Sequence, residues 1–131
     1  MRRPVRMDDP MFEVSVSGSF EASHYIDAPS APDMYRRVHG HSFVVTATAA
    51  AEQPTDEGWV IDMGVFGDKL NAILKRLDHQ MLNDIAGLER PTFENILVWI
   101  DQRLAEEGVT ASRLEIARPT VQQRAVYTPK R

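Results

Sequence analysis

Two histidines stand two apart at His39 and His41, separated by Gly40, and a third, His24, lies upstream. His39 and His41 open a stretch rich in β-branched and aromatic residues, His41 to Ala51, that reads as a strand. Period-2 geometry turns both imidazoles to one face, close enough to bind one ion. Gly40 would allow close backbone approach or unusual dihedrals between them. His24 can supply a third ligand if the intervening loop returns the chain beside it. Three neutral imidazoles leave a fourth tetrahedral position open, as in a catalytic zinc site. The alternative is a pair of half-exposed polar residues at a strand start. The fourth histidine follows an aspartate in Asp78-His79. That pair reads either as a carboxylate-tuned general acid/base or as a solvated helix end, where an imidazole favours the dipole.

The elements that must position these side chains follow from the hydrophobic pattern. Phe12, Val14 and Val16 alternate with Glu13, Ser15 and Ser17, a half-buried strand. The same parity continues through Phe20, Ala22 and His24 unless Gly18 marks a bulge. Residues 26–37, with two prolines, two aspartates and a serine, form a loop. Asp62 is an N-cap for a first helix whose stripe is Val65, Phe66, Leu70, Ile73, Leu74 and Leu77. Thr92 caps a second, with Glu94 in its first turn, a buried face of Phe93, Ile96, Leu97, Ile100 and Leu104, and Gly108 at its C-terminal end. Strands over Arg113 to Arg118 and Gln123 to Tyr127 complete the chain, with Pro119-Thr120 near their turn. The order ββααββ predicts an α+β domain, a four-stranded antiparallel sheet with two helices on one face. The uncovered face, carrying small and apolar residues, is expected to be buried against other subunits.

Composition bounds what such a site can be. The 131 residues contain no cysteine, which excludes disulfides, Cys-based zinc fingers, iron–sulfur centres and a cysteine nucleophile. A metal here must use His, Asp or Glu. Nineteen acidic against fifteen basic residues argue against a nucleic-acid partner. The longest apolar run, Ile96 to Ile100, is far below a membrane span, and the N-terminal arginines have no apolar stretch behind them. The expectation is a cytoplasmic protein with no membrane partner, a single domain over 1–131, and an ordered core from about 11 to 128. The first ten residues and Thr128 to Arg131 read as loose ends.

Several blocks stand in order at matching spacing: Phe20-Glu21-Ala22-Ser23-His24, His39-Gly40-His41-Ser42-Phe43, Leu77 to Asp84 (LDHQMLND), Pro91-Thr92-Phe93-Glu94-Asn95, and Ala125-Val126-Tyr127. In these the chain resembles the 6-pyruvoyl-tetrahydropterin synthase and 6-carboxytetrahydropterin synthase family, over roughly residues 12 to 127, with the queuosine-branch enzymes as nearer kin. The resemblance implies the tunnelling fold, subunits joined edge to edge into a barrel, typically a hexamer of two trimers. It implies Zn2+ held by His24, His39 and His41, and a pterin-like substrate such as 7,8-dihydroneopterin triphosphate. In the family, triphosphate is eliminated and the side chain rearranges. Asp78 and His79 match the pair that assists these proton transfers. Glu94 and Asn95 fall in a segment that shapes the pocket or simply caps the helix.

Two departures qualify the resemblance. The family's catalytic cysteine lies four residues before the His-Gly-His motif, where this chain has Tyr35. A phenol, with a pKa of about 10 against about 8.5 for a thiol, serves as a base only if zinc, Arg36 or Arg37 stabilises the phenolate. The family's pterin-anchoring glutamate precedes a threonine matched by Thr120, and this chain has Pro119 there, with Arg118 before it. Glu115 would substitute only in a different register. Three readings follow. The chain is a zinc-dependent pterin lyase with a replaced proton shuttle; a paralogue with the same zinc site and another substrate or reaction, for which Arg118 hints at an anionic ligand; or a non-enzymatic, zinc-stabilised binding protein.

Overall fold

The computed structural model describes Pro4 and residues 10–131, so most of the N-terminal segment read above as a loose end lies outside the described residues. Strand β1 (Phe12–His24) pairs antiparallel with β2 (His39–Ala51) over their full length, from Phe12 opposite Ala51 to His24 opposite His39. The register is unbroken at Gly18, so there is no bulge and the expected single parity runs from Val14 to His24. Glycine is needed at 18 for a different reason. Helix α2 (Met63–Lys75) crosses β1 so closely that a Cβ there would meet the amide of Asn71 and lie 2.8 Å from Leu74 Cδ1.

Five strands form the sheet, one more than the pattern predicted, in the spatial order Gln80–Met81, β1, β2, Arg113–Arg118, Gln123–Tyr127. The additional strand, β3 (Gln80–Met81), runs parallel to Ala22–Ser23 of β1 and is two residues long, too short to carry a periodic signal. A one-turn helix, α1 (Asp33–Arg36), interrupts the loop between β1 and β2. Helix α3 (Phe93–Glu106) and strands β4 (Arg113–Arg118) and β5 (Gln123–Tyr127) complete the chain.

Both long helices start on side-chain caps. Asp62 accepts from Val65 N and Thr92 from Asn95 N, each at 3.2 Å. They cover one face of the sheet, α2 over β1 and α3 over β4 and β5. The core between the layers holds Phe20, Phe43, Val45, Phe66, Leu70, Ile73, Leu74, Leu77, Ile96, Leu97, Ile100, Leu104, Leu114 and Ile116. Phe20 and Phe43, direct cross-strand partners, stack at 4.7 Å. The helical stripes need two corrections. Val65 is 46% exposed beside the fully buried Phe66, and Trp99 is buried, packing beside Gly87 with Arg76 and Arg103 against its ring.

The other sheet face differs from expectation. It is mainly hydroxyl and charged rather than small and apolar, with Ser15 bonded to Thr48, Ser17 to Thr46, Ser42 to Glu21, and the ion pairs Arg113–Glu13 and Arg124–Glu115. The C-terminal end is also tied down, contrary to the loose tail expected. Pro129 is buried, and Arg131 reaches Asp101 at 2.7 Å and the Ala111 carbonyl at 2.8 Å.

Candidate metal centre and adjoining cavities

His24 and His39 end up side by side because they are the last cross-strand pair of β1 and β2. His41 lies two residues further along the same face, opposite the small side chain of Ala22. The three rings form a mutually edge-on cluster, with centroids 4.6, 5.1 and 4.8 Å apart, and one nitrogen from each lies within 4.8 Å of the others. Phe43 closes the cluster from the core side. Gly40 is an ordinary strand residue facing away; the nearest atom to a Cβ placed there is the Ala22 carbonyl at 3.7 Å, so the special backbone expected of it is not needed.

Hydrogen bonds fix which nitrogen of each ring faces inward. His24 Nδ1 lies 3.2 Å from the Pro91 carbonyl, and His39 Nδ1 lies 2.7 Å from the Arg37 carbonyl. A carbonyl only accepts, so Nδ1 carries the proton in both rings and Nε2 keeps its lone pair. His41 Nε2 receives a hydrogen bond from Arg118 Nη1 at 3.2 Å and is likewise a lone-pair nitrogen. His24 Nε2 is buried with no partner. Burial pushes the pKa of His24 down to about 4, with the neighbouring imidazoles and Arg118 adding to it against the opposing Pro91 contact. Burial and then Arg118 lower that of His41 to about 4. Both rings are therefore neutral at pH 7, the state a metal ligand requires. An orphaned buried nitrogen and three convergent imidazoles fit a divalent transition metal such as zinc.

The predicted site residues divide between two depressions beside this cluster. The smaller, about 210 Å³, is lined by His24, Ile26, Tyr35, Phe93, Glu94 and Arg118, among others. Tyr35 sits here on α1, 49% exposed, in a loop closed by Ile26 N donating to the Tyr35 carbonyl at 2.7 Å. Arg36 is committed to that loop, bonding Asp27, Ala28 and Ala31, so it is Arg118 that shares the cavity with Tyr35. The Arg118 guanidinium lies 4.2 Å from the centre of the Phe93 ring and also donates to Gln123 at 2.8 Å. Its burial lowers its pKa from the ordinary value, with Tyr35 opposing that shift. Glu115 points to the opposite sheet face and pairs with Arg124, so the register excludes it from the cavity.

The larger depression, about 470 Å³ and open, is lined by Glu21, Ser23, Gly40, His41, Ser42, His79 and Thr120, among others. Asp78 Oδ2 lies 2.9 Å from His79 Nδ1, and Oδ1 accepts the Glu21 amide at 2.9 Å. The Glu21 amide, then His79, hold the Asp78 carboxyl below its usual range. His79 has φ +58°, a left-handed conformation rare for a residue with a Cβ. Its amide donates to the Glu21 carbonyl at 2.6 Å, and this together with the Asp78 contacts holds the strained residue against β1. Within one chain the triad thus has Tyr35, Glu94 and Arg118 on one side, and His79 and Thr120 on the other.

Asn95 is a capping residue here, its amide donating to Thr92 Oγ1 and its side chain to the Arg90 carbonyl. Sequence reasoning missed the carbonyls of Pro91 and Arg37, which no residue type announces. It placed Phe93 in the core stripe of α3, whereas the ring is only half-buried and also supports Arg118. The orientation of Arg118 had a signal: it shares parity with the buried Leu114 and Ile116.

Comparison with known proteins bears on this arrangement. Residues 13–130 match the family described as 6-pyruvoyl tetrahydropterin synthase. The chain is 41% identical over 96 residues to the 6-carboxy-5,6,7,8-tetrahydropterin synthase of Synechocystis, covering 70% of this chain and 73% of that protein. It is 31% identical over 86 residues to the dihydroneopterin monophosphate aldolase of Pyrococcus furiosus, covering 66% and 68%. The structure of Caenorhabditis elegans 6-pyruvoyl tetrahydropterin synthase superposes with a TM-score of 0.74 at 19% identity, covering 92% of this chain and 97% of that one, which shows a common fold.

Proposed function

Because the chain belongs to the 6-pyruvoyl tetrahydropterin synthase family, we propose that it is a zinc-dependent pterin lyase acting on the side chain of a reduced pterin such as 7,8-dihydroneopterin triphosphate. The observation that carries this reading is the convergence of three imidazoles with inward lone pairs, one of them buried and unpartnered. His24, His39 and His41 would hold the ion, whose contribution when bound is Lewis-acid polarisation of side-chain oxygens.

The remaining work falls to this chain's own groups. Glu94 offers the smaller cavity a carboxylate for the amidine-like edge of a pterin ring, in place of the anchor that Pro119 cannot provide. Tyr35 lines the same cavity as His24 and Arg118 and is the candidate proton-transfer group. Asp78 orients His79 through Nδ1, leaving Nε2 as a second proton carrier beside the larger depression. The sheet ends on two outer strands, β3 and β5, and a homo-oligomer joined edge to edge, a hexamer of two trimers, is the assembly the family fold supports. A cytoplasmic location accords with this reading; no helix among the described residues is long and apolar enough to cross a membrane.

A second reading is favoured by Arg118 and Tyr35: the same metal centre and pterin class, with a different bond broken or a different substituent recognised. The name of the Pyrococcus relative, an aldolase of a monophosphate, shows that proteins similar to this chain differ in the reaction. Incubating the purified protein with 7,8-dihydroneopterin triphosphate, and following both triphosphate release and pterin products, decides between them. Triphosphate release supports the lyase; stoichiometric zinc without turnover refutes it and leaves the second reading.

A further inference from the structure

Arg118 is the least expected side chain at the site. Its Nη1 donates to Nε2 of His41, the lone-pair nitrogen of that ring, and Nη2 is held by Gln123. Its Nε is buried without a partner, and the guanidinium plane rests on Phe93. Among the described residues its side chain has no carboxylate partner, although the protein pairs Arg36, Arg103, Arg113, Arg124 and Arg131 with acids. A permanent cation therefore sits against the three-imidazole cluster, where a bound dication and a guanidinium would repel one another. Two features relieve that conflict. Nη1 must give up His41 Nε2 when the ion takes it, and the donor so released is free to hold an oxyanion between the two positive centres while Gln123 keeps Nη2 in place.

Building on the metal reading above, we propose that Arg118 couples metal loading to an oxyanion: it occupies His41 in the absence of the ion, and with the ion present it binds a carboxylate or phosphoryl group of the ligand in the cavity shared with Tyr35 and Glu94. The same guanidinium thus selects ligands that carry an anionic group near the reacting side chain. It also makes zinc and that ligand bind cooperatively, since each lowers the cost of the other. Phe93 is the platform that keeps the planar fork at the cavity wall in both conditions.

The test is zinc affinity, read by competition with a chromophoric chelator on metal-stripped full-length protein at pH 7.5 in a buffer free of coordinating anions. Wild type is compared with Arg118→Met, which keeps an apolar stem on Phe93, and with Arg118→Lys, which keeps the charge without the fork. Thermal melts establish that each variant is folded. Without added anion, Arg118→Met should bind zinc at least tenfold more tightly than wild type, while Arg118→Lys stays within a few-fold of it. Addition of acetate or of inorganic phosphate should tighten zinc binding to wild type several-fold and leave Arg118→Met unchanged; whichever probe acts identifies a carboxylate or a phosphoryl group as the recognised anion. Equal zinc affinity of wild type and Arg118→Met without anion, or an equal anion response in both, would overturn the proposal while leaving the metal centre intact. Failure of both proteins to bind zinc would overturn the metal reading itself, and this inference with it.

Discussion

Acidification of the metal-free protein should weaken the fold over a window set by His24. This imidazole is 2% exposed, and burial lowers its pKa from 6.5 to about 4. Between those values the unfolded chain binds a proton that the folded chain refuses, so stability is fully present above pH 6.5, falls as the pH drops, and reaches its full loss below pH 4. The complete loss from this one group is about 3 kcal/mol, of which about 2 kcal/mol is already realised at pH 5. His41 shifts in the same direction and adds to the loss, by less because it is only half-buried. Urea denaturation of metal-stripped protein at pH 7.5 and 5.0, at one protein concentration, measures the difference. We expect unfolding free energy to drop by about 2 kcal/mol or somewhat more, and His24→Gln, which cannot titrate, to show a clearly smaller drop. Equal wild-type stability at the two pH values would refute the claim that a neutral imidazole is buried at this position.

Three further outcomes follow from particular contacts. Gly18→Val places two methyl groups where Leu74 and Asn71 of α2 already press on β1, and should cost about 1–3 kcal/mol in urea unfolding. Asn83 accepts from Tyr25 N at 3.0 Å and donates to the carbonyls of Tyr25 and Glu89, pinning the residue next to His24. Asn83→Ala should therefore lose about 1–3 kcal/mol of stability and also weaken zinc binding, read by chelator competition. Tyr35→Phe should keep zinc stoichiometry while turnover of the pterin substrate falls at least tenfold; an unchanged rate would exclude the phenol from proton transfer.

Much of the site was legible because β-strands alternate without exception here. One parity carried from Val14 to His24, and another from His39 to Phe43, places all three imidazoles on the helix-covered face with no structural information. Both helix starts were legible for the same local reason, since Asp62 and Thr92 are cap residues before apolar stripes. What escaped the sequence depends on contacts distant along the chain. A two-residue strand such as β3 has no period, and the positive φ of His79 is set by Glu21, far away in sequence. The exposure of Val65 and the burial of Trp99 reflect how α2 and α3 lie on the sheet, which a helical stripe does not specify. Arg118 shows the limit most clearly. Parity put it on the inner face, but only the folded chain reveals that a cation stands against the imidazole cluster.

The central claim is that His24, His39 and His41 form a metal centre, and metal content tests it most directly. Freshly purified wild-type protein, measured by elemental analysis alongside His24→Ala, should contain about one zinc per chain, and the variant essentially none while still folded. Absence of metal from the wild type, or the same zinc content in both, would contradict the account.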